Sequence, residues 1–385
     1  MLRDQVEHLA MTRRFGRRSM LTGLAAVAAA AAFPRAAATA WSPAMSGLNA
    51  HLAPQGRYFG TAVRIDQLRE RSALRNAVLQ NCGAVTPEID LKWAALEWNR
   101  GAYNFQPVDE LIGMANESGI AVHGHTLLWG QSVPPWAMEH MAANPGDWSV
   151  ISTYMQAVLS HFGGRIGRWD LLNEVVDTAE SDSLRRNIFY KTFGPDYVER
   201  ALAEARQHAP QAKFLINEYS LEYDNPVDAA RRVAVLRLLE RLKRAELPFD
   251  GLGVQAHLDL TKGRVKRSTI KPFLEAAADL GLEIFVSELD IQEADLSVPK
   301  AVRDRKVSDE VRRYLDIVLE VPAVKGITSW GLSDGLSWLN SDEYRRRDVK
   351  GAATSSNRGL PFDAEMRPKE LYYAMNSAFS EASIG

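Results

Sequence analysis

Trp169-Asp170-Leu171-Leu172-Asn173-Glu174 reads as a short apolar strand that ends on an amide and a carboxylate. A fully buried parallel strand is a near-continuous apolar run, and a carboxylate at its end is costly unless that end opens into a crevice. The same pattern recurs on both sides of this stretch. Strands are expected at 58–63, 81–88, 119–129, 166–174, 213–219, 251–258, 283–290 and 326–331. Their ends carry Thr86-Pro87-Glu88 with Asp90 and Lys92 beyond, Gly124-His125-Thr126-Leu127-Leu128-Trp129, Asn217-Glu218-Tyr219, Gln255-Ala256-His257, Ser287-Glu288-Leu289-Asp290 and Trp330-Gly331. Amphipathic stretches lie between them. The clearest is 227–246, where Val233, Leu236, Leu239 and Leu242 mark an apolar face and arginines the other. Others run near 148–162, 196–208, 269–280, 307–319 and 368–379.

Strands alternating with helices on this rhythm imply a parallel sheet with crossover helices. Eight such units in about 320 residues fit a closed (β/α)8 barrel, an α/β fold of the TIM-barrel type. An open doubly wound sheet is the alternative, but no Gly-rich phosphate turn follows the first strand. The reading is one catalytic domain over 58–385, preceded by a lead-in at 41–57. The irregular stretches 292–306 and 338–360 follow strands seven and eight, and so fall on the C-terminal rim where barrel active sites are built.

The 385 residues are 46% hydrophobic and 24% charged, with a net charge of -2, which argues against nucleic acid as the main partner because phosphate binding needs a basic face. A single cysteine, Cys82, excludes an intramolecular disulfide and reads as a small buried hydrophobe. Residues 1–40 read as a leader. Arg17-Arg18-Ser19-Met20-Leu21 looks like a twin-arginine export signal, and Ala38-Thr39-Ala40 offers a cleavage site before Trp41. The apolar run 20–33 is shorter than the roughly 20 residues a bilayer needs, so no stable membrane anchor is expected. The expectation is a monomer exported by the twin-arginine machinery to the periplasm or the medium.

In a parallel barrel the polar strand ends meet in one crevice, where carboxylates, amides, imidazoles and indoles can hold a sugar. Cleaving a glycosidic bond takes two carboxyl groups, one to protonate the leaving oxygen and one to meet the developing positive charge. Glu174 and Glu288 end strands four and seven, so their side chains can converge across the mouth. Asn173 is placed to bond a sugar 2-hydroxyl. His257 can reach Glu288, and Asp290 can orient that imidazole. Charged partners would keep Glu288 ionised while a less solvated Glu174 keeps its proton. Asp170 is open to a role as a strand-end anchor, and Trp93, Trp129, Trp136, Trp330 and Trp338 to roles in packing. The sequence carries no His-Glu-x-x-His and no closely spaced histidine pair beyond His123/His125, so neither a metal nor a cofactor is expected.

Over 58–379 the chain resembles glycoside hydrolase family 10, mostly endo-1,4-β-xylanases on a (β/α)8 barrel. Trp169–Glu174 looks like that family's acid/base strand, Ser287-Glu288-Leu289-Asp290 like its nucleophile strand, and 124–129 with Pro134 and Trp136 like its third strand and loop. The resemblance implies a retaining mechanism, with Glu174 as general acid/base, Glu288 as nucleophile and their carboxyl groups about 5–5.5 Å apart. It implies that Glu88, Lys92, His125 and Trp129 bind sugars on the non-reducing side. It also implies that Asn217, Tyr219, Gln255 and His257 surround the cleavage point, and that Trp330 and Trp338 are aromatic platforms. Four positions depart from the pattern: Ile89 stands where the family usually has Asn, and Gly130-Gln131-Ser132 where it has His-Ser-Gln. The expected activity is endo-acting hydrolysis of β-1,4-xylan, the partner being a polysaccharide or oligosaccharide. The same chemistry on a β-1,4-glucan or a self-made exopolysaccharide, or a non-catalytic sugar-binding barrel, are the alternatives. A pure binder would have no need of both carboxylates.

Overall fold

Nine strands, all paired in parallel, form the sheet of the computed structural model, which describes residues 47–342, 349–352 and 355–382. They are β1 (Tyr58–Val63), β2 (Ala84–Pro87), β3 (Ala121–Trp129), β4 (Arg168–Asn173), β5 (Lys213–Glu218), β6 (Gly251–Val254), β7 (His257–Asp259), β8 (Glu283–Gln292) and β9 (Val324–Ser329). β1 pairs with β2 and β9, and β8 pairs with β9 and β6, so the sheet closes on itself with eight strand positions. The architecture is the expected (β/α)8 barrel, and closure leaves no open edge.

Several boundaries differ from the sequence reading, each for a local reason. Strand two begins at Ala84, because Ser72–Asn81 is a helix whose Leu74, Ala77, Val78 and Asn81 turn inward at helical spacing. The expected strand 251–258 is broken into β6 and β7, and Ala256 in the break has φ +58°, in the left-handed region that ends regular pairing. The irregular stretch 292–306 contains the start of a helix, Lys300–Val318. Its Arg303 makes two 2.7 Å bonds to Glu293, and both side chains are buried. In the stretch after β9, Asn340 and Asn357 clasp each other: Asn340 Nδ2 donates to Asn357 O at 2.9 Å, and Asn357 N donates to Asn340 Oδ1 at 2.7 Å. The lead-in holds a short helix, Asn49–Leu52, whose Asn49 accepts from the Phe59 backbone at 2.8 Å. The leader at 1–40 lies outside the described residues.

The helix Pro226–Arg244 corrects the amphipathic reading most directly. Leu239 and Leu242 are buried as expected, together with Val235 and Leu238, but Val233 is 48% exposed and Arg231 and Arg232 are buried. Arg237, Arg241 and Arg244 lie on the solvent face as expected, but Arg231 and Arg232 do not, because each anchors rim backbone. Arg231 donates to Glu218, Tyr219 O and Val176 O, and Arg232 donates to Leu221 O and Tyr223 O. Glu218 is itself fully buried, and burial pushes its carboxyl up to about 7 against the opposing charge of Arg231. Cys82 is buried, as read from the sequence.

Urea unfolding checks this packing. Leu239→Ala is expected to cost about 2–5 kcal/mol and Val233→Ala less than about 0.5 kcal/mol. Arg231→Met, which leaves Glu218 without its cation, is expected to cost about 3–5 kcal/mol.

Candidate active site

The site begins with an extra residue in β4. Between Asp170 and Leu172 the pairing with β5 advances two residues on one strand and one on the other. Such a bulge resets the pleat, which brings Asn173 opposite Asn217 and onto the interior side that Asp170 already occupies. Glu174 follows with φ +57°, and its backbone N–H donates to Asn217 O at 2.9 Å. A left-handed glutamate is costly in isolation and is held here by that bond, so the turn directs its carboxylate across the barrel mouth.

A chain of amides joins the two candidate carboxylates. Asn217 Nδ2 donates to Glu288 Oε1 at 2.7 Å and to Asn173 Oδ1 at 2.9 Å. Gln255 Nε2 lies 3.4 Å from the same Asn173 oxygen and 3.5 Å from Glu174 Oε1. Ser287 Oγ donates to Asn217 Oδ1 at 2.6 Å and fixes which way that amide faces. Gly253 is required beside it, since a Cβ there would sit 2.2 Å from Asn217 Oδ1.

The two carboxylates differ in partners more than in solvation. Glu174 has a side chain 13% exposed and Glu288 one 7% exposed, so the expectation that Glu174 is the less solvated is not met. Glu288 Oε2 lies 3.2 Å from His257 Nε2, and His257 Nδ1 lies 2.8 Å from Asp290 Oδ1. Trp338 Nε1 donates to the other Asp290 oxygen at 2.6 Å. Burial opposes charge on Glu288, but the bond to His257 and the nearby imidazoles outweigh it and hold its carboxyl below the usual glutamate range. Burial likewise opposes charge on His257, yet Asp290 and Glu288 lift it well above the usual histidine value. Glu174 Oε2 faces Gln131 Nε2 at 3.3 Å and Arg185 Nη1 at 3.4 Å. Arg185 also donates to the Tyr219 hydroxyl at 2.5 Å, and Arg231 lies over the Tyr219 ring at 3.9 Å.

Beneath the carboxylates, Asp170 Oδ2 lies 2.9 Å from His125 Nδ1 and 3.0 Å from His123 Nε2. Burial opposes its charge, but the two imidazoles outweigh burial and hold Asp170 well below the usual carboxylate range. Arg168 fills the bottom, donating to His123 Nδ1 at 3.0 Å and to the Tyr58 hydroxyl at 2.7 Å. Trp330 stands edge-on to both His125 (5.1 Å) and His257 (6.4 Å), and Trp338 packs on His257 at 5.2 Å. To one side, Lys92 Nζ sits 4.6 Å over the Trp129 ring. Burial raises the Glu88 carboxyl against the charges of Lys92 and Arg64, and lowers the Lys92 ammonium against Glu88, Glu288 and Glu174.

The structure therefore gathers Glu174, Glu288, Asn173, Asn217, Gln255, His257, Asp290 and Trp338 into one bonded network. His125 lies beneath it, Trp330 against His125 and His257, Tyr219 at its outer edge, and Glu88, Lys92 and Trp129 beside it. Asp170, left open as an anchor, orients His125. Trp93 belongs to the packing, stacked on Tyr154 at 4.2 Å. Arg185 escaped the sequence reading because it lies in a loop with no periodicity, and only the fold brings it to Glu174. Two carboxylates joined across a cleft, one beside an imidazolium and the other at the outer rim, can act on opposite sides of one bond.

The sequence profile of glycosyl hydrolase family 10 matches residues 47–378. The endo-1,4-beta-xylanase B of Thermotoga neapolitana is 32% identical over 77% of this chain and 80% of its own. The endo-1,4-beta-xylanase A of Fusarium oxysporum f. sp. lycopersici is also 32% identical, over 77% of this chain and 90% of its own. The crystal structure of xylanase 10B from Thermotoga petrophila in complex with xylobiose superposes with TM-score 0.77 at 29% identity, covering 88% of this chain and 98% of that one. Native xylanase 10B from Thermotoga maritima gives TM-score 0.76 at 29% identity, with 88% and 99% covered. The chain belongs to glycosyl hydrolase family 10.

Nitrogen-15 NMR of the imidazoles tests the charge assignment. His257 is expected to keep both nitrogens protonated as pH rises past about 6.5, the ordinary histidine value. A raised folded pKa stabilises the fold fully below that value, and the contribution is lost only as pH rises through the higher folded value. Asp290→Asn is expected to bring the titration of His257 down.

Proposed function

We propose that this family 10 hydrolase cleaves β-1,4-linked xylan within the chain and retains anomeric configuration, with Glu174 as general acid/base and Glu288 as nucleophile. The observation that carries this reading is the amide bridge between two carboxylates whose partners differ. Glu288, held ionised by His257 and Asp290, is suited to attack the anomeric carbon. Glu174 gives its proton to the departing glycosidic oxygen as the C–O bond breaks, and a glycosyl ester forms on Glu288. Glu174, now ionised, takes a proton from water as that water attacks the anomeric carbon and Glu288 leaves. Asn173 and Asn217 present amides on the face from which Glu288 attacks, where a 2-hydroxyl contact strengthens in the oxocarbenium-like transition state. We further propose export through the twin-arginine signal at Arg17-Arg18.

Xylan is favoured by the names of the two relatives above, both endo-1,4-beta-xylanases, and by the xylobiose held in one similar structure. Another β-glycan is the second reading, and one observation favours it. Ile89 is half-exposed beside Glu88, at the end of the strand where the family's sugar-binding amide usually stands.

Two experiments test these proposals. Glu174→Ala is expected to lose hydrolysis of unactivated linkages while still forming the glycosyl-enzyme on substrates whose leaving group needs no proton, with turnover partly restored by azide. Glu288→Ala is expected to be inactive on both, and proton NMR of the wild-type reaction to show the retained anomer first. Equal behaviour of the two variants, or an inverted product, overturns the roles. The second experiment is Ile89→Asn, alone and with Ser132→Gln, on linear xylo-oligosaccharides. Restoring two neutral hydrogen bonds is worth about 1–3 kcal/mol, or about 5- to 150-fold in kcat/KM. A rise is expected for a xylan enzyme with a weakened subsite, whereas no change or a loss points to a pocket shaped for another sugar.

A further inference from the structure

We propose that Gln131 and Arg185 are positioning residues that clamp the outer oxygen of Glu174 and so make the inner oxygen, Oε1, the one that carries the catalytic proton. The inference rests on the reading of Glu174 as general acid/base.

Oε2 meets two donors, Gln131 Nε2 at 3.3 Å and Arg185 Nη1 at 3.4 Å. Neither nitrogen can accept a hydrogen bond, so a proton placed on Oε2 toward either would face another N–H. The proton is thereby directed to Oε1, which in the bridge meets a single neutral donor, Gln255 Nε2 at 3.5 Å, where Oε2 meets two donors, one of them a guanidinium. That oxygen lies on the side of Asn173 and Gln255, where the leaving oxygen must arrive. Once the proton has gone, the carboxylate charge rests against the guanidinium, and Oε1 is free to accept a proton from water in the second step.

Arg185 is fixed by the fold, and Gln131, itself exposed, is carried on backbone packed beside it. Arg185 is held by its bond to the Tyr219 hydroxyl at 2.5 Å and by its backbone N–H, which donates to Val175 O at 2.7 Å. Tyr219 is in turn covered by Arg231 at 3.9 Å, and Arg231 is paired with buried Glu218 at 2.7 Å. Gln131 is held through its neighbour. A Cβ at Gly130 would sit 2.7 Å from the Cβ of Asn187, so the loop after β3 packs directly on the segment that carries Arg185. Asn187 N donates to Arg185 O at 2.8 Å, and the Asn187 side chain accepts from Tyr190 N at 3.0 Å, capping the helix Ile188–Phe193. Two loops from adjacent strands are pressed together at Gly130, and each delivers one donor to the same oxygen. The departure Gly130-Gln131 is thus linked to the acid/base itself and not only to sugar binding.

The test uses Gln131→Ala, Arg185→Met and Arg185→Lys in the full-length protein, with aryl β-xylobiosides of graded leaving-group acidity as probes. General acid/base catalysis is worth typically 10²- to 10⁴-fold, and loosening the group that performs it is expected to cost about 10- to 100-fold in kcat/KM on the poorest leaving groups. On dinitrophenyl glycosides, whose departure needs no proton, glycosyl-enzyme formation is expected to change by less than about threefold, so leaving-group dependence steepens. Arg185→Lys is expected to recover part of the loss. Equal losses across the series would mean a structural role, and no loss on poor leaving groups would mean no role, and either result overturns the clamp. Glu174→Ala, run beside them, separates the two levels of argument. If that variant keeps wild-type rates on poor leaving groups, the acid/base reading itself fails. If it loses them while Gln131→Ala and Arg185→Met do not, only the clamp fails.

Discussion

The amide of Asn217 has no spare donor. Its nitrogen gives one hydrogen to Glu288 and one to Asn173, and its oxygen accepts from Ser287. A buried amide engaged at both its nitrogen and its oxygen has one orientation and no low-cost alternative, because any rotation would leave buried donors and acceptors unpaired. The placement of both candidate catalytic groups follows from it. Glu288 is bonded to it directly, and Glu174 is tied to the same residue twice, through the backbone carbonyl of Asn217 and through the Asn173–Gln255 bridge to its side chain. Small features elsewhere exist to keep that amide in place, including the bulge in β4 that presents Asn173 and the bare backbone at Gly253.

The interior is also ordered by charge. From the bottom upward Arg168, His123, Asp170 and His125 are bonded in series, and at the mouth Glu288, His257 and Asp290 form a second series, so that each of these carboxylates stands against an imidazole. Burial disfavours each charge, and the imidazole beside each carboxylate offsets that cost. The nucleophile candidate is thus stabilised as an anion within the series at the mouth. Glu174, by contrast, stands outside both series, in contact with rim loops. That separation suits two carboxylates of which one stays ionised when free while the other must gain and lose a proton in each cycle.

Strand ends were the legible part of the sequence, because a carboxylate or amide that closes an apolar run has few places to go in a parallel barrel. That logic placed Glu174, Glu288, Asn173, Asn217, Gln255 and His257 around one mouth before any coordinates. Periodicity served less well where polar groups are buried by design. Arg231 and Arg232 sit among leucines of their helix because rim carbonyls and Glu218 receive them, and a hydrophobicity pattern has no symbol for a buried cation with partners. The break at Ala256 and the helix before β2 were missed for a related reason. Short segments of mixed apolar residues fit either period, and what decides between them is the neighbour across the core. Arg185 was illegible altogether, since its role depends on two loops meeting at Gly130.

At the clasp between Asn340 and Asn357 the chain leaves the rim and returns to it through a pair of side-chain-to-backbone bonds, Lys350 between them is bonded to the loop after β8, and the Asn357 amide is in turn bonded to the backbone of Ile291 and Glu293. Between two ends fastened to each other, each doubling of length costs only about 0.6 kcal/mol in closure entropy. A change of length at this point of the rim can therefore be absorbed above the barrel, with the amide network beneath it left in place.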